Sequence, residues 1–471
     1  MANRETRDAR ALEARYRARS LWLDGLPGAL EPRTAFAGDA EVDVAIVGAG
    51  VTGLWTAYYL AVHAPELRVA VLEREIAGYG ASGRNGGWLS PGVAADPRVY
   101  ARRHGEDAVR AAERLTAEGV DEVGRVVAEE GIDCGYRKGG QLMAATSQAQ
   151  LERLRGWVAK RRQWGAGPED LVELSPAEVA ARVRVGEALG GAWSPHCAAI
   201  DPARLARGLA EAVERRGVAV YERSPVTAIE PGSVLTPRGR LRARHVLRAT
   251  EAFTVQQPGE RRRYLPLYSL MIATEPLPAE VWGELGWSHG ECVADLRHLF
   301  FYAQRTPDDR LALGGRGAPY RLGSPIDEAN ERNDAVRARL VETVRRHFAP
   351  AAGARITHHW GGALAVPRDW SAGCALDADT GLGWGGGYSG HGVLAAHMTG
   401  RTLADLARGA DTELTRLPWV GHAARRWEPE PLRFVASRAI VAVMGSADRA
   451  EEGLGRTARR MRLIAPFISG R

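Results

Sequence analysis

The chain has 471 residues, 45% of them hydrophobic, which is enough for two connected domains with sizeable cores. Its net charge of +6 rests almost wholly on arginine, because Lys138 and Lys160 are its only lysines; the arginines are interleaved with acids, which argues against a nucleic-acid partner. Cys134, Cys197, Cys292 and Cys374 are scattered without a C-x-x-C pair, so no zinc ribbon, iron–sulfur cluster, other metal site or disulfide framework is expected, and a reducing cytoplasm fits.

Residues 1–40 read as a polar helix and an irregular segment, with no apolar region of a secretory signal. No run approaches about eighteen apolar residues, so no transmembrane helix is expected. Residues 42–47 (VDVAIV) form a buried strand. Gly48, Gly50 and Gly53 then fall in G-x-G-x-x-G spacing, with Thr52 inside the turn, and open a helix. A second apolar strand ends on Glu73, about twenty residues past the last glycine. Gly48 permits the sharp turn, Gly50 lets backbone approach a pyrophosphate, and Gly53 lets the helix pack on the sheet. The helix N-terminus offers N–H groups to phosphates. Glu73 can accept hydrogen bonds from ribose hydroxyls, and its charge disfavours a 2′-phosphate. Strand, turn, helix, strand and acid in register predict a dinucleotide site.

A glycine-rich loop follows at residues 78–87, then helices over 97–130 and 147–166 with a strand at 139–145 between them. Asp201 and Pro202 start a helix that Gly217 stops, and strands follow up to Thr250. Residues 261–320 alternate as an antiparallel sheet, and 327–348 read as an amphipathic helix. Residues 381–406 repeat the glycine loop and helix. The apolar stretch 434–444 predicts a packed helix, with a peripheral membrane contact as the lesser reading. One extended cofactor can gather the three glycine loops at the ends of one sheet. The expected class is therefore α/β: a Rossmann-like nucleotide domain (41–95, 196–260 and 359–410) interleaved with an antiparallel-sheet substrate domain (96–195 and 261–358). Residues 1–40 form an N-terminal extension and 411–471 a tail.

Four segments in order, DVAIVGAGVTGLWTAYYL, GYGASGRNGG, DPARLARGLAEAVERRGVAVYERSPVTAIE and GYSGHGV, resemble the D-amino-acid oxidase and glycine oxidase superfamily of flavoproteins, in particular its γ-glutamylputrescine oxidase-like branch. The resemblance covers about residues 22–406 and implies FAD in a GR2-type Rossmann fold. It places Glu73 on the ADP ribose with Arg74 flanking the adenine. Ser82, Asn85 and Gly86 line the pyrophosphate and flavin edge, Val226 pairs with adenine through its backbone, and Thr250 passes near the flavin. Tyr388, Ser389, Gly390, His391 and Gly392 bring a helix N-terminus to the ring. The 80–87 loop has no histidine or cysteine tether, so the FAD is expected to be non-covalent.

The implied activity is oxidation of a C–N bond in an amine or amino-acid derivative: hydride passes to flavin N5, the imine hydrolyses, and O2 becomes hydrogen peroxide. A dehydrogenase using a quinone or carrier acceptor, and a tailoring flavoenzyme, stay open, as does oligomeric state. Tyr302 and His391 are the catalytic candidates, and Tyr302, Trp360 and Arg305 the substrate-binding ones. Two departures bear on the substrate. The segment 360–367 (WGGALAVP) lacks the arginine that clamps an α-carboxylate in many relatives. Leu394 stands where sarcosine oxidases place a lysine. An amine is therefore favoured over a simple α-amino acid, unless Arg305, Arg316 or Arg368 rebuilds an anion site. Lys138 is the one lysine considered for activating oxygen.

Overall fold

The computed structural model describes residues 2–92, 94–315, 317, 320–323, 325–454, 457–461 and 464. Its first sheet contains the glycine-turn strand Ala40–Val47, whose last four residues are buried, and Val69–Leu72, which is wholly buried. Such continuous apolar runs belong to parallel strands covered on both faces. The sheet runs Gly373–Leu376, Leu382–Gly386, Gly239–Arg248, Ala40–Val47, Val69–Leu72, Ala219–Tyr221. Along this path all neighbours are parallel except the first pair; off it, Ser233–Thr236 pairs antiparallel with Gly239–Arg248 and with Ala228–Glu230.

Helices Val51–His63, Glu106–Glu129, Pro202–Arg215 and Gly392–Ala407 supply the core on one face. The first and last of these cross closely at Gly400, where a Cβ would stand 2.6 Å from the Trp55 Cβ. On the other face, Phe36 and Val234 cover Ala45, Val47 and Leu72.

The second sheet runs Ile356–Val366, Leu265–Thr274, Leu311–Gly315, Phe301–Arg305, Cys292–Asp295, Gln141–Ala145, Gly190–Ser194, Val172–Leu174. It is antiparallel apart from the pairing of 292–295 with 141–145. Helix Asp334–His347 packs on its back through Val336, Leu340 and Val344.

Three element boundaries differ from the sequence reading. Gly105, at φ +83°, splits the expected 97–130 helix into Pro97–His104 and Glu106–Glu129. The helix expected from 327 starts at Asp334, because Asn333 caps it by accepting the Val336 N–H at 3.0 Å. Residue 359 lies within a strand of the second sheet, and the chain rejoins the first sheet only at Gly373–Leu376.

The N-terminal segment is integral: Tyr16, Trp22 and Leu23 are buried against Met271 and Trp360. The tail forms a helix, Leu432–Leu454. All four cysteines are free and buried, and among the described residues no helix is long and apolar enough to cross a membrane.

Candidate active site

Loops at the carboxyl ends of the parallel strands converge, as ligand sites of open α/β sheets do. The glycine turn follows Val47, Glu73 follows Leu72, Val226 follows the Ala219–Tyr221 strand, Thr250 follows Arg248, and Tyr388–Gly392 follows Gly386. They wall one cavity of about 720 Å³, which continues over the second sheet past Tyr302 to Met143 and the Leu432–Leu454 helix. This is a size suited to a bound cofactor with substrate beside it.

The turn glycines are sterically required. Gly48 has φ +107°, and a Cβ there would stand 2.7 Å from the Ala249 carbonyl oxygen. A Cβ on Gly53 would stand 2.0 Å from the Gly48 carbonyl oxygen, and one on Gly50 2.9 Å from Ser82 Oγ. The helix that starts at Val51 has no side-chain cap from its N-cap residue, Gly50; the Val51 N–H donates to Ser82 Oγ at 3.0 Å. Its positive end therefore faces the cavity.

Glu73 accepts the Ala49 N–H at 2.9 Å and the Glu75 N–H at 3.0 Å, which fixes its carboxylate beside the turn. Burial raises its pKa, and the two amides oppose that shift. Arg74 lies 4.8 Å over the Phe253 ring and donates to Gln256 Oε1 at 2.9 Å. Asn85 staples its own loop, donating to Ala81 and Ser82 carbonyls at 3.2 and 3.0 Å and accepting the Gly87 N–H at 2.8 Å. Thr52 Oγ1 and the Tyr388 hydroxyl lie 2.8 Å apart, joining the glycine turn to the 386–392 loop. Thr250 pairs with Thr254 at 2.8 Å.

Tyr302 packs its ring on Gly86, where a Cβ would stand 2.5 Å from Cε2, and its hydroxyl lies 2.7 Å from Ser269 Oγ. His391 is exposed at the start of the Gly392–Ala407 helix, and its backbone N–H donates to the Tyr388 carbonyl at 2.9 Å. Every residue expected to hold the cofactor lines the cavity except Gly53, which packs behind the turn. Three non-glycine residues on the wall have left-handed backbone: Glu251 (φ +44°), Ser389 (φ +53°) and Trp370 (φ +61°). Such strain concentrates at functional sites.

Trp360 and Arg305 do not line the cavity. Trp360 is buried edge-to-face on Trp22, and its indole N–H donates to the Arg84 carbonyl at 3.0 Å. Arg305 pairs with Asp309 at 2.6 Å and donates to the Trp287 carbonyl at 2.9 Å. Both side chains are thus engaged outside the cavity rather than on its wall. Leu394 is buried with its side chain toward Gly119, away from the cavity. Arg368 pairs with Glu428 at 3.0 Å, Arg316 lies outside the described residues, and Lys138 forms a surface ion pair with Asp121.

The sequence reading missed three features. Arg84, buried in the cavity wall, pairs with Glu331 at 2.7 Å. Glu251 repeats the strand-then-acid pattern of Glu73, the signal that could have revealed it. The Leu432–Leu454 helix closes the cavity with Ala436, Ser437, Ile440, Val441 and Met444. It is latched at both ends. Arg433 donates to the Arg261 carbonyl at 3.3 Å and Glu430 accepts the Gly323 N–H at 3.2 Å; Asp448 accepts the His298 and Leu299 N–H groups at 2.8 and 2.9 Å, and Glu451 pairs with Arg153 at 2.7 Å. Nearby in the wall, burial pushes the Asp295 carboxyl up to about 6 despite its Arg297 partner.

A helix N-terminus facing the cavity, close-packed glycines and an acid after the second strand, opening into a deep cavity over a second sheet, define a dinucleotide-dependent oxidoreductase. These residues fit FAD: the turn and the helix N-terminus would hold its pyrophosphate and Glu73 its ribose, with Gly86 and Tyr388 lining the cavity where its ring would lie. The family described as FAD dependent oxidoreductase (DAO) matches residues 43–406, and the chain belongs to that family. It is 33% identical over 375 residues to γ-glutamylputrescine oxidoreductase of Escherichia coli (strain K12), covering 78% of this chain and 84% of that protein. It is 28% identical over 192 residues to the mitochondrial L-2-hydroxyglutarate dehydrogenase of Caenorhabditis briggsae, covering 40% of this chain and 41% of that one. Glycine oxidase from Geobacillus kaustophilus shares the fold, with a TM-score of 0.63 at 22% identity, covering 79% of this chain and 96% of that one.

Proposed function

We propose that this FAD-dependent oxidoreductase is an amine oxidase that oxidises the C–N bond of an amine or amino-acid derivative and reduces O2 to hydrogen peroxide. The observation that carries this reading is the single cavity joining the nucleotide end to an apolar, aromatic chamber over the second sheet. The likeness to γ-glutamylputrescine oxidoreductase extends over most of both chains, whereas the likeness to the hydroxyglutarate dehydrogenase covers under half of each. That difference favours a nitrogen donor.

The bound flavin supplies two-electron redox chemistry; the chain supplies orientation and a dry chamber. Tyr302, fixed by Gly86 and Ser269, orients the substrate carbon. The Leu432–Leu454 helix excludes water. The two arginines on the described wall are committed, Arg84 to Glu331 and Arg74 to Gln256 and Phe253. That supports an amine without a simple α-carboxylate. His391, at the mouth, is positioned to exchange a proton with solvent.

The test is anaerobic flavin bleaching with polyamines, γ-glutamylated amines, N-methyl amino acids, D-amino acids and 2-hydroxy acids, followed by peroxide measurement in air. Bleaching by an amine with stoichiometric peroxide is expected. Bleaching by 2-hydroxy acids alone would overturn the reading, and dye reduction without peroxide would make the protein a dehydrogenase.

A further inference from the structure

Glu251 closes the Gly239–Arg248 strand beside Thr250, in a left-handed conformation that L side chains avoid by about 1–2 kcal/mol. Its side chain accounts for the conformation. One carboxylate oxygen accepts the Ala365 N–H at 2.9 Å; the other accepts the Gly387 and Tyr388 N–H groups at 3.2 and 3.1 Å. One residue thus ties the end of the second sheet's edge strand to the loop that leads into the Gly392–Ala407 helix, on the cavity wall. It has no ion-pair partner within 4.0 Å among the described residues; Arg263 and Arg248 are engaged by Glu260 at 3.4 and 3.6 Å. The titratable groups around it are the Tyr264 and Tyr388 hydroxyls, Arg248, Arg263 and Glu260, with His391 further along the loop. Burial pushes the Glu251 carboxyl up to about 7, against the pull of its three amides.

We propose that Glu251 is a positioning residue that holds the ring-side loop and takes up a proton when the cofactor gains negative charge. The inference rests on the reading that the FAD ring lies at this end of the cavity. A hydride brings two electrons and one proton to the ring, leaving it one unit more negative. A like charge nearby disfavours a second anion, so one further proton passes from solvent to the Glu251 carboxylate. Two protons then accompany two electrons, and the net charge of the site is restored.

The experiment uses the holoenzyme and needs no amine. Its midpoint potential is measured against pH by dye equilibration during photoreduction, with infrared difference spectra in parallel. Around neutrality the natural protein is expected to take up two protons per two electrons, falling to one at higher pH. A carboxylic-acid C=O band should appear on reduction. Glu251→Gln should take up one proton throughout and lack the band, a change that a merely structural tie would not produce. A one-proton slope throughout in the natural protein, or a two-proton region that survives in the variant, would overturn the proposal. Should the variant fail to hold FAD, the infrared band of the natural protein decides the matter, because the flavin's own N1 can take a second proton and reproduce the slope, whereas only a carboxyl gives the band. A protein that shows this behaviour yet oxidises no amine would refute the substrate reading and leave this one standing.

Discussion

Arg84 and Glu331 meet at 2.7 Å inside the protein, joining the glycine-rich cofactor loop to the segment before the Asp334–His347 helix. Arg19, from the N-terminal segment, reaches the same Glu331 oxygen at 2.6 Å. One carboxylate therefore joins two buried guanidinium groups, so that three distant parts of the chain meet at Glu331, and Arg19 pairs with Glu328 as well.

Removing that carboxylate leaves the Arg84 charge uncompensated inside the protein, while Arg19 keeps its second partner, Glu328. Glu331→Gln should destabilise the protein by about 3–5 kcal/mol and release FAD, as read by denaturant unfolding and flavin content. The double variant Glu331→Leu/Arg84→Met should recover much of the loss. Unchanged stability in the single variant would show that the triad carries little.

The glycine turn separates two effects. In Gly50→Ala the new methyl group meets only the Ser82 hydroxyl, whereas in Gly53→Ala it meets backbone. Gly50→Ala should fold and lose FAD affinity by about ten-fold, equal to about 1.4 kcal/mol, in a fluorescence titration. Gly53→Ala should give little folded protein. Equal behaviour of the two would contradict the steric assignment.

Glu73→Gln keeps the side chain's shape and one acceptor oxygen but loses the charge held beside the turn. FAD affinity should fall by about ten-fold, and since each carboxylate oxygen accepts one backbone N–H, the amide left facing the new NH2 should cost the apoprotein about 1–3 kcal/mol. An unaffected dissociation constant would remove Glu73 from the cofactor site.

Ile440 and Met444 face the chamber from the C-terminal helix. Ile440→Trp should raise KM for long amines by about ten-fold while flavin content and the small-amine rate stay the same. A matching loss for small amines would mean that the helix affects the ring end as well.

Glu251 contributes to the apoprotein's pH dependence beside Asp201 and Asp295, because burial moves its carboxyl from 4.5 to about 7 on folding. A raised acid pKa means that the native state binds more protons between those values, so stability falls as pH rises through that window. The contribution is about 3 kcal/mol at about 1.4 kcal/mol per unit. Glu251→Gln should flatten that part of the unfolding profile measured by urea titration. A parallel profile would contradict the assignment.

The cofactor end was legible because each position there answers to local geometry: a turn only glycine permits, or an acid at a strand's end. Arg305 could have been corrected from sequence. Side chains alternate along a strand, so Tyr302 facing the cavity sends residue 305 to the other side. Trp360 could not. It shares a face with Gly362, yet the N-terminal segment around Trp22 covers that end of the sheet, and nothing local reveals where that segment docks. Glu251 stayed hidden because its role depends on amides more than a hundred residues away.

The cavity's last wall is also the last helix among the described residues. Every residue assigned to the cofactor precedes it. Cofactor loops and roof are thus separable along the chain: a change confined to the Leu432–Leu454 helix reshapes the chamber while leaving every cofactor-lining residue in place.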